Sequence, residues 1–154
     1  MRFAELSVGQ QLEFGSVVVS ENEIIDFATR FDPQHFHVDA GAALASRWKG
    51  LIASGFHTCS IAMRMMVDHV LRESESIGSP GIEYLKWPHP VRPGDRLRMR
   101  VLVLKAEVSK SGRVGVVRWQ WLLVNQCDEI VLDLVVTSMF GLNTKSPIAS
   151  TEVT

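Results

Sequence analysis

Apolar and polar residues alternate from Gln11 and then give way to Val17, Val18 and Val19, a pattern that predicts a strand over Gln11 to Ser20. Ser20 stands three residues before Glu23, the spacing of a capping box, and this opens a helix over Glu21 to Phe31. Pro33 disfavours helical geometry in the residue before it, so the helix stops there and Asp32 stands at a helix-to-loop junction. A short helical piece is expected over Ala40 to Ser46. The next run, Gly55 to Ser74, has no Pro and no Gly beyond its first residue. Phe56, Cys59, Ser60, Met63, Val67 and Val70 fall on one helical face, yet Ile61, Ala62, Met65 and Met66 make its first half apolar nearly all round. Such a helix is expected to be buried by more than one surface.

From Gly81 onward the pattern becomes β. A segment through Tyr84 and Trp87 leads to Arg92-Pro93-Gly94-Asp95, which suits a tight turn. Strands are then predicted from Arg96 to Val108, where basic and apolar residues alternate, from Arg113 to Asn125, and from Ile130 to Gly141. One long apolar helix followed by three long consecutive strands describes an α+β domain in which an antiparallel sheet wraps a helix. Trp119 and Trp121 share one strand face and are expected to pack on the Met-rich helix. Arg96, Arg98 and Arg100 read as a solvated face, with Arg92 or Arg96 as the candidates for contact with a coenzyme A phosphate. Periodicity is lost at Asn143. The expected organisation is one domain over residues 1–142 and a disordered tail over 143–154.

The 154 residues are 46% hydrophobic, enough for one well-buried core without disulfides or metals. The two cysteines, Cys59 and Cys127, lie far apart in unlike surroundings, the usage of a reducing compartment, so a cytoplasmic protein is expected. The N-terminus lacks the apolar run of a signal peptide, and no stretch approaches the roughly 20 apolar residues that span a bilayer. Net charge is −1 with both signs interspersed, which leaves no electrostatic footprint for nucleic acid or anionic lipid. The expected partner is a small molecule or another copy of the chain.

Candidate chemistry concentrates in "RFDPQHFHVDA", Arg30 to Ala40. His35, His37 and Asp39 alternate as metal ligands on one strand face would, but Pro33 and the flanking helices argue for a loop, and no further ligand clusters nearby. Neither metal nor cofactor is therefore expected. Asp32 and His37, five residues apart, instead suit an acid/base pair. Each also has a plainer role: an Asp before Pro is a common turn residue, and a lone His is often a satisfied core imidazole.

The segment "FATRFDPQHFHVDAGAALASRWKGLIASGFHT", followed by "HPVRPGD", resembles the MaoC-like dehydratase and (R)-specific enoyl-CoA hydratase family over about Leu6 to Phe140. The resemblance implies a hotdog fold, a homodimer or a higher oligomer of dimers, and an acyl-CoA thioester substrate. It assigns the catalytic Asp and His to Asp32 and His37, and to Gly55 a backbone amide that helps bind the thioester oxygen. Gln34, Ser54 and His57 are the neighbouring candidates for the oxyanion and substrate site. Two departures stand out: Gln34 replaces the family's usual Asn, and His35 stands near the usual Pro, with a Pro at position 33 instead.

Elementary chemistry leads to the same residues. Hydrating a 2-enoyl thioester needs a base for the attacking water, a proton for the α-carbon and donors for the enolate oxygen. Asp32 and His37 sharing a water meet the first two needs. Gly55, opening the long helix, offers unpaired N–H groups at the positive end of the helix dipole. Its missing side chain is expected to let a flat thioester approach the backbone. The readings carried forward are a hydratase or dehydratase, a hotdog thioesterase, and a non-catalytic acyl-CoA-binding subunit.

Overall fold

The computed structural model describes residues 1–142; the tail expected to be disordered, 143–154, lies outside the described residues. In chain order the elements are β1 (Gln11–Val18), α1 (Glu21–Phe31), α2 (His35–Val38), α3 (Ala40–Ala45), α4 (Gly55–Met66), β2 (Ser76–Lys86), β3 (Arg96–Val108), β4 (Val114–Val124) and β5 (Ile130–Gly141). A short 3-10 turn, Phe3–Glu5, precedes them, and α4 runs on into a π-helical turn, Val67–Leu71.

Period-two alternation decides which face of the sheet turns inward. Leu97, Met99, Val101 and Val103 of β3 are buried while Arg98 and Arg100 between them are not, and β4 buries Val117, Trp119, Trp121 and Leu123 in the same way. The five strands form one antiparallel sheet in the order β1-β3-β4-β5-β2. Its inner face packs with Ala62, Met65 and Met66 of α4 and Ile24 of α1 in a single core. Trp119, wholly buried, meets Phe140 edge to face at 6.1 Å, and its indole N–H donates to Ser138 Oγ at 3.1 Å, so its polar atom is satisfied where water is excluded. A side chain such as Leu97 or Met99, fully buried, contributes about 1.5–3 kcal/mol. The result is the expected α+β hotdog, a sheet wrapped around one long helix.

On the outer face Arg98 and Arg100 pair with Glu13 and Asp128, as a solvated row of charges would. The tight turn at Arg92 to Asp95 is closed by Asp95 N–H donating to the Arg92 carbonyl at 3.0 Å, with Gly94 at φ 87°.

Several boundaries differ from the sequence reading. The region between Pro33 and Asp39, expected as a loop, contains the one-turn helix α2. The strand β2 begins at Ser76, five residues before Gly81, because pairing with β5 holds an irregular edge segment that includes Pro80 and slips register three times. The expected single helix over Gly55 to Ser74 is α-helical only to Met66. Two surfaces cover it, as expected: Ala62 and Met66 join the core under the sheet and His57 stacks on Phe27 of α1, while Phe56 is 64% and Met63 43% exposed on the flank that neither reaches. Among the described residues, no helix is long and apolar enough to cross a membrane.

Candidate active site

The end of α1, the turn of α2 and the buried segment leading into α4 converge on Asp32. Its N–H closes α1 by donating to the Ala28 carbonyl at 2.8 Å, and its own backbone (φ −155°, ψ 67°) then leaves helical geometry, as Pro33 requires. The single turn of α2 sends His37 inward and leaves His35 exposed. Buried among Leu51 to Ser54, the Ile52 carbonyl accepts from His37 Nδ1–H at 2.7 Å. A carbonyl only accepts, so this bond fixes the proton on Nδ1 and aims Nε2 at Asp32 Oδ2, 3.3 Å away.

Both oxygens of Asp32 are held. Ser54 Oγ donates to Oδ2 at 2.7 Å, and Gln34 Nε2 donates to Oδ1 at 2.8 Å. Partial burial raises the Asp32 carboxyl pKa, but the hydrogen bonds from Gln34 and Ser54 and the nearby His37 outweigh it and hold the group below the usual Asp value. Ser54 is the residue that precedes α4, where a serine would ordinarily cap the helix, yet its side chain makes no cap bond. Its hydroxyl is committed to Asp32 instead, so no Ser54 cap competes for the first N–H groups of α4, beginning with Gly55.

Asp32, Gln34, His37, Gly55, Phe56 and Trp87 line one hollow of about 310 Å3. Four of the six residues singled out in the sequence thus line it, and Ser54 joins them through its bond to Asp32. His57 is not among them: it stacks on Phe27 at 4.8 Å and borders a separate hollow beside β1. Burial pushes its pKa down, only partly offset by Glu23. The metal alternative does not assemble either, since Asp39 Oδ1 accepts from Ala42 N–H at 2.9 Å as the cap of α3. Among the described residues no three His, Cys, Asp or Glu side chains group as metal ligands. Of the two candidate phosphate contacts, Arg92 donates to the Trp48 carbonyl at 2.6 Å, and Arg96 to Ser16 Oγ at 3.0 Å.

Two participants escaped the sequence reading. The Ile52 carbonyl is a backbone atom and carries no residue signature. Trp87 was legible only as an aromatic at the end of a strand. Its indole lies over Gly55, so a Cβ added there would meet three of its ring atoms at 2.5 to 2.8 Å. The space expected to admit a flat thioester is therefore occupied by Trp87, and close packing of this ring already requires glycine.

A hotdog sheet around a helix whose N-terminus meets an Asp–His pair defines a recognisable class. The family described as MaoC like domain matches residues 3–121, and the chain belongs to it. The MaoC-like dehydratase from Rhodospirillum rubrum superposes with a TM-score of 0.84 at 37% identity, covering 92% of this chain and 97% of that one. The protein YdeM of Bacillus subtilis is 32% identical over 111 residues, which are 72% of this chain and 79% of YdeM. The R-hydratase PhaJ1 from Pseudomonas aeruginosa matches at 26% identity and a TM-score of 0.75, covering 96% and 94% of the two chains.

Proposed function

We propose that this protein is an acyl-CoA hydratase or dehydratase that adds or removes water across the 2,3 double bond of an enoyl thioester. The observation that carries this reading is the 3.3 Å approach of His37 Nε2 to Asp32 Oδ2 in the hollow that Gly55 also lines. A water bound in the hollow against this pair is within reach of both groups, with its oxygen free to attack the β-carbon. As the C–O bond forms, charge gathers on the thioester oxygen and the Asp32–His37 pair takes a proton from the water; the pair then delivers a proton to the α-carbon as that charge returns, so one water's OH and H end on the two carbons and the pair regains its starting state. The N-terminal amides of α4 supply the donors for that oxygen; a single donor of this kind is worth about a hundredfold to a thousandfold in kcat. The thioester bond stays intact throughout.

A panel of 2-enoyl-CoA substrates with short, medium and branched chains tests this reading. Loss of the conjugated absorbance without release of thiol, giving an (R)-3-hydroxyacyl product, is the expected result for at least one substrate. Because Gln34 and His35 depart from the usual motif, crotonyl-CoA alone does not decide. Thiol release that tracks substrate loss and vanishes in Asp32→Asn makes the protein a thioesterase; tight binding without turnover anywhere in the panel makes it a binding subunit.

The same reading includes a homodimer. The outer edge of β2 is unpaired and exposed, and beside it Ile82 is 52% exposed, with Phe56 and Met63 open to solvent. Two copies joined along β2 would complete the hydrogen bonding of both edges. Light scattering at micromolar concentration is expected to report twice the monomer mass, and a stable, active monomer would contradict the assignment. The half-buried and exposed free thiols Cys59 and Cys127 suit the reducing cytoplasm.

A further inference from the structure

The hollow that holds Asp32 and His37 is not the only one that reaches Phe56. On the other side of this residue an apolar groove of about 460 Å3 runs between α4 and the sheet, with Cys59, Met63, Trp121, Leu134 and Val136 among its lining. Phe56 borders both spaces. Trp87 meets it edge to face, with ring centroids 5.8 Å apart, and covers Gly55 on the side of the polar hollow. The Cys59 thiol, its pKa raised by burial, lies in the wall of the groove one helical turn from Phe56.

An acyl chain whose thioester oxygen sits at the first turn of α4 has two directions to run. Inward, the polar hollow is closed by Ala53, Val91 and Val131, all buried. Sideways, the apolar groove has room and the right chemistry, but the way to it lies past Phe56 and Trp87. These two rings are not core residues: Trp87 is 43% exposed. A large aromatic left half open beside a glycine it holds at contact distance is poorly explained by stability alone.

We propose that Trp87, backed by Phe56, is the specificity-determining partition between the Asp32–His37 hollow and the apolar groove, and that it limits the length and branching of the acyl chain; this rests on the acyl-thioester reading of the site. The groove supplies apolar contact for the tail, and the ring pair narrows the passage to it. Trimming Trp87 should therefore favour long chains over short ones.

The test compares wild type, Trp87→Ala and Trp87→Phe in two assays. One measures kcat/KM for four-, eight- and twelve-carbon 2-enoyl-CoA substrates. The other measures equilibrium binding of the saturated acyl-CoA esters of the same lengths, which cannot be hydrated. Trp87→Ala is expected to raise the twelve-carbon to four-carbon ratio by about tenfold or more in both assays, the discrimination a methylene or two provides in an apolar pocket. Trp87→Phe should fall between. A ratio within twofold of wild type in both assays, in variants that are folded, overturns the partition. If wild type hydrates none of the substrates, binding alone decides: a shifted length profile upholds the partition while the hydratase reading falls, and failure to bind any acyl-CoA sinks both. Should Trp87→Ala not fold, Trp87→Phe and Phe56→Leu carry the same comparison with less disturbance of packing.

Discussion

Asp32→Asn and His37→Gln each lower kcat by about a hundredfold or more, and the double variant is little worse than either single one, because two groups that share one water act as a unit. The structure separates the two variants in stability. Asn at position 32 keeps an oxygen for Ser54 and lies at a partly exposed helix end, so folding is expected to change little. His37 is buried, and its replacement removes the donor to the Ile52 carbonyl; a buried acceptor left unpaired costs about 1–3 kcal/mol. The acid side adds a second measurement. The Asp32 carboxyl is held below its ordinary pKa, so its stabilising contribution is complete above the unfolded value and lost only as pH falls through the lower folded one. Any acid limb of kcat/KM that belongs to Asp32 in the free enzyme should accordingly lie below the ordinary aspartate range. Rates within a few-fold of wild type in folded Asp32→Asn would remove this site from the chemistry.

What the sequence disclosed of this arrangement depended on how locally each feature is determined. The capping box at Ser20 and Glu23 is made by the residues that display it, with Glu23 N–H donating to Ser20 Oγ at 3.2 Å, and α1 begins where they place it. Strands β3 and β5 span Arg96–Val108 and Ile130–Gly141 as read, because alternation over a dozen residues is a strong signal. The single turn of α2 is too short for any period to be seen, yet it is the turn that buries His37. The first half of β2 reads as turn because it carries Gly78, Pro80 and Gly81; only its partner strand makes it β. The candidate site divides in the same way. Asp32, His37 and Gly55 sit on a recognisable motif, whereas the hold of Ser54 on Asp32 spans 22 residues and the packing of Trp87 on Gly55 spans more. Spacing along the chain carries no trace of such contacts. His57 shows the converse: two residues from Gly55 in sequence, it turns to the other side of α4 and stacks on α1, since positions two apart on a helix do not share a face.

Gly55→Ala is expected to harm both folding and activity, and Trp87→Ala is expected to relieve that harm. A Cβ at position 55 would stand 2.5 to 2.8 Å from atoms in the body of the Trp87 indole, which has no flexible tip to swing aside. Overpacking of this kind costs about 1–3 kcal/mol. Trp87 is exposed enough to give way, but the ring it displaces borders the Asp32–His37 hollow, so the strain is exchanged for a misplaced wall beside the reacting atoms. A shift near 1 Å at such a position is enough to cost on the order of a hundredfold in rate. With Trp87 already reduced to Ala the clash disappears, the backbone amide of residue 55 remains, and Ala is a better helix former than Gly by about 0.5–1 kcal/mol. Denaturation midpoints and kcat/KM for wild type, both single variants and the double variant form a cycle in which the two changes should couple by about 1–3 kcal/mol in stability. If Gly55→Ala is equally damaging with and without Trp87, the glycine is required by something other than this ring, and direct approach of the substrate to the Gly55 backbone becomes the stronger explanation.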